Sequence, residues 1–178
     1  PCALPILERE RRADGIFPLD TEVKGNLTLS GPQGDFVLTA RADRMDRLAS
    51  GEIAVIDYKT GRVPSPKQVK SGLSPQLPLE AAIAAAGGFG DMAKETVGEL
   101  LYIRLTGRTP PGEMKPVKGD AGELAEATRE GLKNRIAAFD DENTPYLSRL
   151  RPMFLSHEGD YDHLARVKEW SADVEEET

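Results

Sequence analysis

Along the first half of the chain, hydrophobic and polar residues alternate with the two-residue period of β-strands. The alternation of Thr21–Leu29 ends at Ser30-Gly31-Pro32, a turn signal. Asp35–Leu48 then sets Phe36, Leu38, Ala40 and Ala42 on one face and Val37, Thr39, Arg41 and Asp43 on the other. Ala49-Ser50-Gly51 turns the chain again, and Glu52–Thr60 reads as a third strand. Three strands joined this closely predict an antiparallel meander. Val97–Leu105, with Leu101, Ile103 and Leu105 in alternate positions, predicts a fourth strand.

The helical signals lie around these strands. Residues 4–12 read as the end of a helix closed by Asp14-Gly15. A helix is predicted from Pro75 to Ala86, with Pro78 in its first turn, where the missing N–H costs nothing, and Gly87-Gly88 as its stop. Leu124, Leu132, Ile136 and Phe139 form a stripe along a predicted helix Glu123–Phe139. Tyr161–Trp170 reads as a short amphipathic helix using Leu164, Val167 and Trp170. The Pro/Lys-rich stretch after Gly61 and residues 106–121 read as connections. The order helix, three strands, helix, strand, helix predicts an α/β fold: a small mixed β-sheet flanked by helices.

Composition narrows the class. A chain of 178 residues, 39% hydrophobic and 30% charged, suits a globular protein with its own core. Residues 1–158 are expected to form one domain, with residues 159–178 a short helix and an acidic tail (Asp173, Glu175, Glu176, Glu177). The longest apolar run, Ala81–Ala86, is too short to cross a bilayer, and no signal-peptide pattern opens the chain. The expectation is therefore a cytoplasmic protein without a membrane partner. Because it starts at Pro1 rather than Met, the chain is read as a segment of something longer. Cys2 is the single cysteine, which excludes an internal disulfide and a four-thiolate zinc or iron–sulfur site built from this chain alone. His157 and His163 lack an HxxxH or Cys partner pattern and read as surface or packing residues.

A net charge of −7 argues against indiscriminate nucleic-acid binding, yet the charge is unevenly spread. Between Tyr58 and Leu79 stand four cations, Lys59, Arg62, Lys67 and Lys70, and no Asp or Glu. That basic strip adjoins the most polar strand end in the sequence. In Ile53-Ala54-Val55-Ile56-Asp57-Tyr58-Lys59-Thr60-Gly61, Asp57 and Lys59 are two residues apart and share one strand face. Taken alone, the triplet reads as an ordinary ion pair at a strand end. The neighbouring strand adds Asp43, in Ala40-Arg41-Ala42-Asp43-Arg44-Met45-Asp46, which the turn at Ala49–Gly51 brings near Asp57. Two converging carboxylates repel, so one must hold a proton or both must share a cation. A hard divalent ion suits them, since Mg2+ takes oxygen ligands and commonly uses only one or two carboxylates besides water.

Arg41-Ala42-Asp43-Arg44-Met45-Asp46, then Asp57-Tyr58-Lys59-Thr60-Gly61, then Pro75-Gln76-Leu77 resemble the PD-(D/E)XK nuclease superfamily, and within it the RecB-like branch. The resemblance runs from about Glu22 through Leu105. It is finer still to the nuclease domains at the C-terminal end of AddB subunits in AddAB helicase–nucleases. This match is carried by Leu38-Thr39-Ala40-Arg41-Ala42-Asp43-Arg44, by Ser74-Pro75-Gln76-Leu77-Pro78-Leu79-Glu80-Ala81 and by Tyr161-Asp162-His163-Leu164-Ala165-Arg166.

The resemblance implies a restriction-endonuclease-like core and a Mg2+ site, with Mn2+ able to substitute. Asp43 and Asp57 would hold the metal with the backbone carbonyl of Tyr58. Glu22, at the start of the first strand, is a further candidate ligand, although an exposed strand-end glutamate is an equal reading. Lys59 would serve the attacking water and the scissile phosphate, and Gln76 would contact substrate or orient the site. Arg62, Lys67 and Lys70 are the expected DNA contacts, and an AddA-like helicase–nuclease subunit the expected partner.

Three departures qualify the match. The position four residues after the motif glutamine, often Tyr in this branch, is Glu80, so that residue's role does not carry over. With only Cys2, the iron–sulfur cluster of some relatives is not expected. For the branch's His- or Glu-bearing helix before the first strand, only Glu8 and Glu10 offer themselves. The expected function is a metal-dependent (exo)deoxyribonuclease acting in double-strand break processing and recombinational repair. The alternative is a non-catalytic DNA-binding or scaffolding module that keeps the fold.

Overall fold

The computed structural model describes residues 3–107 and 112–145. The chain divides into two compact units, residues 1–140 and 141–178, and nearly all of the second lies outside the described residues. So do the expected 158/159 boundary, the helix Tyr161–Trp170, both histidines and Cys2.

The first unit runs α1 (Ala3–Ala13), β1 (Phe17–Gly31), β2 (Gly34–Arg47), β3 (Ile53–Lys59), α2 (Pro66–Lys70), α3 (Gln76–Ala86), β4 (Val97–Leu105), β5 (Gly112–Pro116) and α4 (Ala121–Phe139). The strands form one sheet in the order β1-β2-β3-β4-β5. β1, β2 and β3 are antiparallel neighbours, the meander that the alternation predicts. β4 lies parallel to β3, and α2 and α3 occupy the crossover that a parallel neighbour requires. The fold is thus mixed α/β, restriction-endonuclease-like, with helices flanking a five-stranded sheet.

Two elements correct the sequence reading. The stretch 106–121, read as a connection, contains β5, paired antiparallel with β4. Gly112-Glu113-Met114-Lys115-Pro116 has too few apolar residues to announce a strand. It is an edge strand, where charge and a terminal proline are tolerated because one side of the ladder faces no partner. The Pro/Lys-rich loop contains the short helix α2. Its N-terminus is built by a capping box in which Ser65 accepts from the Gln68 N–H and the Gln68 side chain accepts from the Ser65 N–H. β1 is also longer than Thr21–Leu29, gaining Phe17–Asp20 by pairing with Asp46 and Arg47 across a bulge.

The sheet is covered on both faces. On one, Ile53 and Val55 of β3 and Leu100 and Tyr102 of β4 pack with Leu77, Ala81 and Ile83 of α3 and with Ala121 and Ala125 of α4. On the other, Ala54, Ile56, Leu101 and Ile103 pack with Leu7 of α1. A strand buried on both sides reads as a continuous apolar run, which is what Ile53-Ala54-Val55-Ile56 is. α3 is apolar around most of its circumference, with Leu77 to Ala84 buried except Leu79, because sheet and α4 enclose it. Its C-terminus closes on Gly87 in the left-handed conformation (φ 75°). The chain then presses Phe89 over Gly25 of β1, where an added Cβ would run into the Phe89 ring.

Buried charges fasten α1 to the sheet. Arg11, nearly fully buried, donates to Asp46 at 2.8 Å and to Glu99 at 3.2 Å. Arg44 donates to Asp46, to Glu8 and to the Tyr58 hydroxyl. Removing one member would leave the others as uncompensated buried charge, so this network is a structural necessity rather than a surface ornament.

Candidate active site

Asp57 and Lys59 occupy the C-terminal end of β3, on the face covered by α3. Ile53 and Val55, two and four residues before Asp57, anchor that face in the core, so the strand period delivers Asp57 and Lys59 to the same side. Asp57 is 2% exposed, and burial pushes its carboxyl above the ordinary range; Lys59 opposes that shift and Asp43 adds to it. The Lys59 ammonium lies 3.0 Å from Oδ1 and 2.8 Å from Oδ2 of Asp57, with hydrogen-bond geometry to Oδ1 only. Oδ2 is buried and has no hydrogen bond.

Asp43 reaches the group through an irregularity in β2. Leu38, Ala40 and Ala42 pack toward the α3 face, and so does Met45, an odd step later, while Arg44 and Asp46 point to α1. The alternation therefore slips between Ala42 and Asp43, and Asp43 is not carried away from the Ala42 face as strict alternation predicts. Arg44 pairs with Ile56, and one further step of that register sets Asp43 opposite Asp57. The Asp43 Oδ2 accepts the backbone N–H of Tyr58 at 3.0 Å. The N–H and C=O of one strand residue point the same way across a ladder, so the Tyr58 carbonyl also faces the β2 side, next to Asp43. The Tyr58 side chain goes to the opposite face, toward Arg44.

Helix α3 closes the group. Gln76, its first residue, accepts from Lys59 Nζ at 3.1 Å through Oε1 and donates through Nε2 to Glu80 Oε1 at 3.2 Å. Gln76 and Glu80 are four apart and share a helix face. Glu80 is 3% exposed, and its Oε2 is buried without a hydrogen bond. Burial raises its carboxyl to about 7; the bond from Gln76 opposes the rise, and the charges of Asp57 and Asp43 add to it. Tyr102, across from Asp57 on β4, is pushed up to about 12 by burial and by Asp57 and Glu80.

The donor set suits a hard cation. It is all oxygen, and Asp57 Oδ2 is buried with only the Lys59 ammonium, at 2.8 Å, beside it. Among the described residues no three or more His, Cys, Asp or Glu gather into a group that could hold a metal ion by themselves.

Glu22 stands apart from this group. The register on either side, Thr21 with Arg44 and Val23 with Ala42, puts it across from Asp43. Yet its backbone is left-handed (φ 51°), and its side chain, 74% exposed, pairs with Arg41 at 3.6 Å. Glu8 is likewise elsewhere, on the α1 face, where the bond from Arg44 holds its carboxyl below the ordinary range.

Of the expected DNA contacts, Arg62 follows β3 directly, and Lys67 and Lys70 are exposed on α2. A groove beside Lys59 joins Gly61, Arg62 and Ser65 to Arg104 and Lys115. Arg104 is the register partner of Lys59 on β4. Sequence reasoning missed Arg104 and Lys115 because only the sheet order brings β4 and the unpredicted β5 to this edge. A separate cavity of about 720 Å3 between α3, α4 and the start of β4 holds none of the motif residues.

A family model of the PD-(D/E)XK nuclease superfamily matches residues 2–149. The chain belongs to that superfamily. Members of it generally are nucleases and typically use divalent metals such as Mg2+. The PD-(D/E)XK chain is 34% identical to an uncharacterized protein of Rickettsia felis over 106 residues, 58% of this chain and 12% of the relative. It is 36% identical to the uncharacterized protein RC0550 of Rickettsia conorii over 83 residues, 47% of this chain and 10% of the relative. The chain thus spans about a tenth of the length of these curated relatives. Among solved structures, that titled "Crystal structure of SSO0001" matches at 15% identity and TM-score 0.40, covering 73% of this chain and 56% of that one. Among the described residues no helix is long and apolar enough to cross a membrane.

Proposed function

We propose that this PD-(D/E)XK domain is a Mg2+-dependent deoxyribonuclease, the nuclease domain of a larger DNA-processing protein. One observation carries the reading: Lys59 bonds both Asp57 and Gln76, Asp43 is docked on the intervening Tyr58 N–H, and a basic groove lies at the edge of this group drawn from β2, β3 and α3.

Asp43 and Asp57 would hold the metal with the Tyr58 carbonyl; when bound, the ion supplies Lewis acidity and a water of lowered pKa. Asp57 offers Oδ2, which is buried and without a hydrogen bond. Lys59 brings a positive charge to where charge develops on the scissile phosphate, held in place between Asp57 and Gln76. Arg62, Arg104 and Lys115 along the groove, with Lys67 and Lys70 on α2, would take the phosphate backbone on either side of the cut.

The finer assignment is to the AddB-like type, working with an AddA-like helicase–nuclease subunit in double-strand break processing. The motif likeness at residues 38–44 and 74–81 supports it. The deciding experiment incubates the chain with Mg2+ or Mn2+ and labelled linear duplex DNA, single-stranded DNA and RNA. Metal-dependent cleavage of DNA, abolished by chelation and by Asp57→Asn, is the expected result. DNA binding without cleavage in the chain and in its full-length parent would favour the scaffold instead.

A further inference from the structure

Glu80 is the one charged residue among the buried positions of α3. A carboxylate on an apolar helix inside a core is costly, and only one of its oxygens has a hydrogen bond. That bond joins it to Gln76, and Gln76 in turn touches Lys59.

The chemistry of the three groups fixes the orientation of the amide between them. An ammonium has donors only, so the Gln76 atom facing Lys59 must be Oε1. The NH2 group then points along the helix and requires an acceptor, which Glu80 Oε1 supplies one helical turn on. A flipped amide would set NH2 against the ammonium and its carbonyl against the Glu80 oxygen, two repulsive contacts in place of two bonds. Gln76 lies at the solvent edge, where the bond to Glu80 and the pull of the Asp57 carboxylate on the same NH2 favour one orientation of the amide.

We propose that Glu80 is a positioning residue for Lys59: through Gln76 it fixes the amide orientation that holds the Lys59 ammonium beside Asp57. Glu80 acts at one remove and does not touch the phosphate. The bond from Gln76 does not depend on whether Glu80 carries a proton, because a carboxyl group keeps an acceptor oxygen in either form. The inference rests on the reading of Lys59 as the cation serving the scissile phosphate, but its test needs no cleavage.

The test is a double-mutant cycle on the intact chain, read by nitrogen-15 NMR of the Lys59 ammonium in Glu80→Leu, Gln76→Leu and the double variant. Exchange of the Lys59 Nζ protons with water should accelerate about tenfold or more in Glu80→Leu, the scale of one lost neutral-to-charged hydrogen bond. In the Gln76→Leu background the same substitution should add nothing. An equal effect in both backgrounds would mean that Glu80 acts on Lys59 directly through its charge, and the relay would be overturned. An unchanged Lys59 signal in Glu80→Leu overturns it as well. Should Glu80→Leu unfold, Glu80→Gln serves: it keeps size and an acceptor, so it should keep the Lys59 exchange rate within twofold, and a wild-type-like fold with a fully deprotected Lys59 would refute the proposal. Loss of cleavage with the Lys59 signal intact in every variant would count against the relay alone. An intact relay in a chain that never cleaves would count against the nuclease reading alone.

Discussion

Asp43 accepts a hydrogen bond from the backbone N–H of Tyr58 at 3.0 Å, so the carboxylate of one strand is docked on the next strand, beside Asp57. This bond takes the place of a ladder bond just past the last paired residues, Arg44 and Ile56. It lets two like charges approach across the sheet where a regular pair would stand, and it leaves the repulsion between them to be offset by Lys59 or a metal ion.

Asp57→Asn should therefore abolish calorimetrically detectable Mn2+ binding while leaving metal-free stability level or higher. The substitution relieves the burial that raises the Asp57 carboxyl and the repulsion from Asp43, whereas Lys59, about a third exposed, can turn to water. Glu22→Gln is the matched control. With its side chain outward on Arg41, it should leave Mn2+ affinity unchanged, and a large loss there would restore Glu22 to the ligand set.

Glu80 should make metal-free stability fall as pH rises. Its ordinary value is 4.5 and its folded value about 7, so between these the folded state holds a proton that the unfolded state has released. Stability is unaffected below about 4.5, declines through the interval and is fully penalised above about 7, by at most about 3 kcal/mol. Burial sets this shift first; Gln76 on α3 opposes it, Asp57 on β3 and Asp43 on β2 add to it, and Lys59 on β3 opposes it. Urea denaturation of Glu80→Gln against the wild type should show no difference at pH 4.5 and a more stable variant at pH 8. A gap that does not change with pH would mean that Glu80 ionises freely in the folded chain.

Much of this fold was legible because its signals are local. Glu52–Thr60 follows a glycine turn and reads as a strand, and the helix Pro75–Ala86 is closed by a glycine pair. The shared face of Asp57 and Lys59 followed from strand period. What escaped depends on tertiary partners. β5 is a strand only because β4 offers an edge, and α2 is defined by one capping box rather than by periodicity. Asp43 changes face because β2 slips, and Glu80, an acid four residues after Gln76, becomes buried only when α3 is enclosed by sheet and α4.

The groove should declare itself in salt dependence. Replacing Arg62, Arg104 and Lys115 together by Gln should make the slope of log affinity for duplex DNA against log salt shallower by roughly 0.9 per cation that meets a phosphate. Arg104 and Lys115 both lie near Glu113, at 4.0 and 3.0 Å, so that carboxylate competes with DNA for them. Glu113→Gln should accordingly tighten binding and steepen the slope. The pair Lys67→Gln and Lys70→Gln on α2 gives the comparison, and a slope altered only by that pair would move the DNA path from the groove to the helix.

Lys59→Met separates chemistry from architecture. In the nuclease reading Lys59 is not a metal ligand, so its removal should preserve Mn2+ binding and tighten it modestly, one positive charge within 3 Å of Asp57 having gone. The fold should survive, because Lys59 is partly exposed and the strand that carries it is anchored by Ile53 and Val55. Cleavage should nonetheless fall by ~10²–10³, the usual effect of removing one preorganised group that stabilises charge in the transition state. DNA affinity should fall much less, since Arg62, Arg104 and Lys115 remain. If Lys59 only neutralises Asp57, the opposite pattern follows: wild-type cleavage persists with Met at position 59 wherever metal is saturating, because the ion then neutralises Asp57 in its place. Single-turnover cleavage of linear duplex DNA at saturating Mn2+, measured with calorimetric metal affinity on the same preparations, distinguishes the two roles.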